Sequence, residues 1–239
     1  MLVALGLCVL LVLTVQSDGP LPQTPAPKPW QTVSDSSITY VRTQATADFI
    51  RIAQIMAAVM AYVGHIVWKL GRRLPGAMTI YSVAGLCLVS LGSVSFSAGF
   101  NVNALHLFFS NVSSAAVLGA TLTGMLLGHW YLTTPTMAIY PLSWFTKALA
   151  AAAVGRMLMT CVSLWRFGFA SHDLVHVLWL TVRIVGGIVV PLITAVLVAR
   201  ILKFRNTQSA TGVLFAALIL VFMGEMMAAL LERDLRIPY

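Results

Sequence analysis

Three charged residues lie deep inside apolar stretches of this sequence: Arg156, Arg183 and Glu225. A charge inside a membrane-length apolar run costs about 2.5–3.5 kcal/mol on insertion scales, so each one needs a partner or a function. Counting inward from the predicted ends of the runs, at a rise of about 1.5 Å per residue, places them roughly 12, 13 and 9 Å below the same membrane surface. The three residues are therefore predicted to meet in one buried polar cluster.

This cluster would carry a positive excess, because Glu225 neutralises only one of the two arginines. A guanidinium group suits bidentate binding of acceptors, so Arg156 and Arg183 are candidate ligands for a haem propionate, a quinone carbonyl, a lipid phosphate or a carboxylate of a partner subunit. Glu225 is the candidate catalytic residue, as a carrier of protons. The alternative is an ion pair that only fixes helix packing and needs no cofactor, but it leaves one buried arginine unpaired, which is costly.

Four histidines are candidate cofactor ligands, since imidazoles on neighbouring helices of a four-helix core ligate haem b. His65 and His129 lie near the predicted inner ends of two helices, form one plausible pair and are also the candidate metal ligands, with His129 as the preferred site residue of the inner side. His106 and His176 lie towards the predicted outer side and form the second pair. His106 and His129 are separated by roughly 35 Å along one helix, which argues against a compact relay of two haems. The alternative for each histidine is an interfacial, hydrogen-bonded side chain.

Two further motifs concern helix packing and a weak metal signal. Gly124 and Gly128 have the small-xxx-small spacing that lets membrane helices approach closely. Gly186 and Gly187, just after Arg183, predict a local break beside a buried charge, a feature that often lines a cavity. His172 and His176 have the i, i+4 spacing that lets two histidines bind one metal ion, but the sequence nearby offers no third ligand.

The elements that must position these residues are membrane helices. The chain has 239 residues, 59% of them hydrophobic and only 9% charged, and its mean hydropathy is +0.90. Soluble domains carry about 25% charged residues, and a membrane helix needs roughly 20 apolar residues. We therefore predict an all-α, polytopic integral membrane helix bundle of about seven transmembrane helices in a lipid bilayer.

The chain is predicted to form a single transmembrane helical domain over residues 1–239. Residues 1–16 are a first span or a signal-like segment, with retention of the span favoured. Residues 17–47 contain alternating prolines and predict an extracytoplasmic loop, because proline disfavours helix. Residues 48–239 are predicted to form a six-helix core.

The net charge of +8 does not indicate nucleic-acid binding, because the basic residues stand at the ends of apolar runs. Six of the 15 lysines and arginines lie between predicted spans in residues 69–73 and 200–205. The positive-inside rule then predicts a multi-pass protein of the inner or plasma membrane with a cytoplasmic N-terminus and an extracytoplasmic C-terminus.

The leading functional hypothesis is a membrane-anchored subunit of a redox complex that binds haem b or quinone and exchanges electrons with other membrane or peripheral subunits. The alternatives are a small-solute or proton-coupled transporter and a structural or assembly subunit. The sequence contains no phosphate-binding loop, nucleophile elbow or zinc-protease motif of the soluble enzymes.

Overall fold

The computed structural model describes residues 44–96, 100–134, 139–168 and 173–235 of the chain. Helices account for the regular structure of these ranges, which confirms the all-α prediction. In chain order they are α1 (Gln44–Lys69), α2 (Arg73–Ser95), α3 (Val102–Thr133), α4 (Tyr140–Phe167), α5 (Leu174–Ile184), a π-helical segment (Val185–Val189), α6 (Val190–Lys203) and α7 (Thr207–Leu235).

Six of the described helical stretches are long and apolar enough to cross a membrane. One of them is the continuous stretch Leu174–Lys203, in which α5, the π-helical segment and α6 follow each other without a break. The six stretches coincide with the predicted six-helix core, and the prediction of about seven spans is close. The predicted first span at 1–16 lies outside the described residues, and α1 begins at Gln44, just inside the predicted loop 17–47.

Local sequence explains where several helices begin and end. Gly71, between α1 and α2, and Gly168, at the end of α4, have φ values of +74° and +64°. Glycine adopts such positive φ angles at little cost, and a residue with a positive φ does not continue a right-handed helix. Pro141 stands in the first turn of α4, where its missing N–H group has no helical partner to lose.

The described residues cluster into two compact units, with the boundary between Phe108 and Phe109. In the first unit α1 packs against α2, and Gly76 lies under the ring of Trp68. The second unit contains the rest of α3 and all of α4 to α7. The prediction of a single domain over 1–239 stays a prediction.

The core of the second unit is apolar and closely packed. Leu142 and Leu149 of α4, Val198 of α6 and Leu214 of α7 are almost completely buried in one cluster. Large apolar side chains also cover the outer faces of the helices, which suits contact with lipid rather than water. The chain is therefore a multi-pass helical membrane protein.

The Gly124–Gly128 spacing of α3 does permit a close helix approach. A Cβ atom at Gly128 would lie 2.6 Å from Oγ1 of Thr211 on α7, and one at Gly124 would lie 3.6 Å from Leu214. Thr211 is buried and its hydroxyl donates to the carbonyl of Thr207, so it has little freedom to move away. The contact between α3 and α7 therefore requires a residue without a side chain at position 128.

We expect Gly128→Ala to destabilise the protein by about 1–3 kcal/mol, the usual cost of overpacking a filled interior. Gly119→Ala on the same helix is the matched control, because nothing lies within 4 Å of a Cβ atom there. The control should be neutral or gain up to about 1 kcal/mol from helix propensity. Thermal unfolding of both variants in detergent checks this, and equal melting temperatures would contradict the assigned contact.

The predicted break after Arg183 is present as the π-helical segment. Gly186 and Gly187 do not line a cavity, however, because both are buried against the backbone of α7. A Cβ atom at Gly186 would lie 2.6 Å from the carbonyl oxygen of Leu220. The break therefore brings two helix backbones together, with Gly224 of α7 facing the two glycines.

Candidate functional site

Arg156, Arg183 and Glu225 meet inside the second unit, as their predicted depths indicated. Arg156 of α4 binds Glu225 of α7 with two nitrogens, Nη2 to Oε2 at 3.0 Å and Nε to Oε1 at 3.3 Å. Arg183 of α5 donates from Nη1 to Glu225 Oε1 at 2.8 Å. We call these three residues the Arg–Glu cluster, and their convergence confirms that part of the sequence prediction.

Two serines of α3 complete the surroundings of this cluster. Ser114 donates its hydroxyl hydrogen to Glu225 Oε2 at 2.5 Å. Ser110 accepts from Nη1 of Arg156 twice, through its hydroxyl oxygen at 2.7 Å and its carbonyl oxygen at 3.0 Å. Three helices besides α7 therefore contribute groups to the cluster.

The hydrogen bonds are unevenly divided between the two arginines. All three guanidinium nitrogens of Arg156 have partners in Glu225 and Ser110. Arg183 is 0% exposed, and its Nε and Nη2 atoms are buried without a hydrogen-bond partner among the described residues. Buried polar groups without partners are rare and costly, so two unpartnered nitrogens on one charged side chain require an explanation.

Glu225 has no comparable deficit. Its two oxygens accept four hydrogen bonds, from Arg156 twice and from Arg183 and Ser114 once each. One carboxylate facing two guanidinium groups leaves the cluster one positive charge in excess. Arg156 is 3% and Glu225 8% exposed, so this charge is held in an apolar interior rather than in solvent.

Glycine at position 187 is a requirement of the Arg183 geometry. A Cβ atom there would collide with Nη1 of Arg183 and would lie 3.6 Å from Oε1 of Glu225. The π-helical segment thus leaves space for the guanidinium group of Arg183, which is one of the last residues of α5. The sequence shows the glycine pair, but only the structure shows that Gly187 leaves space for Arg183.

His176, near the start of α5, belongs to a second polar contact. Its Nε2 lies 2.5 Å from Oδ2 of Asp234 on α7, and its Nδ1 lies 3.7 Å from Asp173. The ring is buried and packs edge-on against Trp179. His172, the other member of the i, i+4 pair, lies outside the described residues.

The remaining predicted histidine sites stay predictions. His65 is partly buried and His106 buried in the first unit, whereas His129 is exposed in the second. Each predicted haem pair takes one histidine from each unit, and each unit is described by itself. Within the described ranges, no group of three or more His, Cys, Asp or Glu side chains is arranged to hold a metal ion.

Ser110 and Ser114 are the site residues that the sequence reading missed. Their spacing of four puts both hydroxyls on one face of a helix that is largely apolar. That pattern was a detectable signal, but serine is common in membrane helices because its hydroxyl can bond to its own backbone. Ser113, for example, donates to the carbonyl of Ser110.

Fold and site together define a polytopic α-helical membrane protein with a buried, positively charged Arg–Glu cluster. No protein-family model, curated protein or solved structure matches the chain.

Proposed function

We propose that this chain is a membrane-embedded subunit of a redox complex and that its Arg–Glu cluster binds the carbonyl headgroup of a quinone. The observation that carries the proposal is the buried Arg183 guanidinium, with two nitrogens that have no acceptor among the described residues. A charged donor pair of this kind is stabilised by an oxygen acceptor with the fork geometry of guanidinium recognition.

The location of the cluster favours a lipid-soluble ligand. The residues lie within three membrane-spanning stretches and are covered by apolar side chains, so a ligand that travels in the bilayer has the shortest route to them. The positive excess also stabilises negative charge on a bound oxygen, which is the charge that reduction of a quinone carbonyl develops. The apolar surroundings suit a quinone better than a hydrophilic anion.

In this proposal Glu225 positions the two arginines. Its oxygens already accept four hydrogen bonds, and a proton taken up there would displace at least one arginine or serine donor. Proton transfer by Glu225, which the sequence suggested, would therefore accompany a rearrangement of the cluster. Electrons would come from partner membrane or peripheral subunits.

Haem b stays the alternative cofactor through the predicted pairs His65–His129 and His106–His176, each of which takes one histidine from each unit. Within the second unit alone, the two described histidines are too far apart to share a haem. In the second unit, His129 lies near the end of α3, where α4 begins, and His176 lies where α4 ends. The 28 residues of α4 span roughly 42 Å, so these two histidines are at opposite ends of the unit and do not share an iron. His176 is in addition held by Asp234.

The test is to extract the purified protein with organic solvent and to measure quinone per polypeptide by mass spectrometry. We expect about one quinone per chain in the parent protein and a loss of at least tenfold in Arg183→Met, because removal of the guanidinium removes the donors. Lys69→Met, which removes an exposed cation at the end of α1, is the control and should retain the quinone. Quinone-free parent protein would overturn the proposal, and a b-type Soret band would favour haem instead.

The π-helical segment favours a second candidate, a transporter of small anionic solutes. Local breaks in membrane helices beside a charged residue are typical of transporter binding sites, and π-helical turns are frequent at functional sites. Here the break directly follows Arg183. Uptake of an anion into proteoliposomes that Arg183→Met abolishes, by a protein that contains no quinone, would support this candidate.

We propose that the protein lies in the inner or plasma membrane, with its N-terminus on the cytoplasmic side. This orientation rests on the positive-inside distribution of lysine and arginine in the loops.

A further inference from the structure

At one end of the second unit, the described charged residues are all basic. This end, where α4 begins and α6 ends, is called the basic end here. Its described residues include Lys147, Arg200, Lys203 and Arg205, all exposed, and no acidic residue. The opposite end is mixed in charge, since Arg166 and Arg233 lie there together with acidic residues. The four described acidic residues of the unit lie in the cluster or towards that opposite end: Asp173, Glu225, Glu232 and Asp234.

A cleft opens at this basic end between α4 and α6. Its volume is about 340 Å³, and its lining is mostly apolar, with Ile139 and Leu202 among the contributing residues. Lys147 of α4 and Lys203 of α6 line the cleft from its two sides, and Ser143 adds a hydroxyl. The cleft therefore combines an apolar wall with two cations.

Neither lysine has an ion-pair partner in the part of the chain that the structure describes. The salt bridges described for the second unit join Arg156 and Arg183 to Glu225, and His176 to Asp173 and Asp234, and they do not involve either lysine. The Ser143 hydroxyl likewise makes no hydrogen bond within the described residues, whereas the Thr146 hydroxyl, also in the lining, donates to the carbonyl oxygen of Leu142. The lysines and Ser143 thus present free donors to one space.

We propose that this cleft binds the phosphate of an anionic glycerophospholipid, with Lys147 and Lys203 as its counter-ions. Basic pockets between membrane helices bind anionic lipid headgroups in this manner. The apolar wall suits the glycerol and proximal acyl carbons, which a free phosphate ion lacks. The site is separate from the Arg–Glu cluster and does not depend on the proposed quinone function.

The positive-inside rule alone accounts for basic residues at a helix end, but it predicts no difference between those that line a cleft and those that do not. Lys203 lines the cleft, whereas Arg200, one turn earlier on α6, does not. Both are exposed. Arg200 is therefore the matched control for Lys203.

The experiment is native mass spectrometry of the full chain in detergent, titrated with phosphatidylglycerol. We expect Lys147→Gln and Lys203→Gln each to weaken binding about fivefold, and the double variant about 25-fold, from roughly 1 kcal/mol per lysine near an anionic surface. Arg200→Gln should change the affinity less than twofold. Equal weakening by Arg200→Gln would show that the charge acts diffusely and would overturn the site.

Two further arms identify the source of the phosphate. Phosphatidylcholine, which carries the same phosphate in a zwitterionic headgroup, should bind at least fivefold more weakly. Inorganic phosphate at the same concentration should not displace phosphatidylglycerol. Displacement by inorganic phosphate would overturn the assignment to a lipid.

Discussion

Glu225→Gln is expected to destabilise the protein far more than Arg183→Met, although both remove one charge from the same cluster. The first change leaves two buried guanidinium groups facing a neutral amide, whose NH₂ group is a donor where a donor already points. Removing one partner of a buried ionic group costs about 3–5 kcal/mol. For a chain of this size that corresponds to a fall in melting temperature of roughly 10 °C.

Arg183→Met leaves a balanced pair instead. Arg156 and Glu225 keep their two mutual hydrogen bonds, and Ser110 and Ser114 keep theirs. The change also removes the two buried nitrogens that have no partner among the described residues. Because an unmade buried hydrogen bond costs about 1–3 kcal/mol, we expect Arg183→Met to lie within about 1 kcal/mol of the quinone-free parent protein or above it.

Thermal unfolding in detergent, followed by circular dichroism, measures both variants. The double variant Arg183→Met/Glu225→Gln should recover part of the loss caused by Glu225→Gln, because it leaves one unpaired cation rather than two. Glu232→Gln, on the same helix, is the control for loss of a carboxylate outside the cluster. A double variant that is no more stable than Glu225→Gln would show that the two arginines are not coupled through Glu225.

Together with the quinone measurement, this order of stabilities separates a packing role from a binding role. If Arg183 only held helices together, Arg183→Met would lose stability. A variant that folds as well as the parent protein but has lost its ligand identifies a residue kept for function at a cost in stability.

The second large effect is expected from Gly224→Ala on α7. A Cβ atom at this position would lie 2.7 Å from Cα of Gly187 and 2.9 Å from the carbonyl carbon of Gly186, and it would collide with the Gly187 nitrogen. All three atoms belong to the backbone, so no side-chain rotation relieves the overlap. The α7 helix must move away from the π-helical segment, and the next residue along it is Glu225.

We expect Gly224→Ala to cost at least about 3 kcal/mol, at or above the upper end of the usual overpacking range. The matched control is Gly212→Ala on the same helix, where nothing lies within 4 Å of a Cβ atom. That control should be neutral or gain up to about 1 kcal/mol. The measurement is the melting temperature and the yield of monodisperse protein, and a Gly224→Ala variant as stable as Gly212→Ala would refute the backbone contact.

The sequence alone was sufficient to predict where the helices lie and at what depth in the membrane the charged residues lie. Apolar length is a local property, and each membrane helix forms its hydrogen bonds within itself. The six described stretches could therefore be predicted, and the constant rise of a helix placed Arg156, Arg183 and Glu225 at one depth. The positive excess followed from counting charges, which requires no knowledge of packing.

Only the tertiary structure decided how those charges are satisfied. The sequence treated the two arginines as equivalent, but Arg156 has all its nitrogens paired whereas Arg183 pairs one. That difference depends on the serines of α3 and on the approach of Gly224 to Gly187. These contacts depend on how each helix is rotated about its axis and on which helices are its neighbours. Both are long-range properties, and the pattern of apolar residues does not encode them when a helix is apolar on every side.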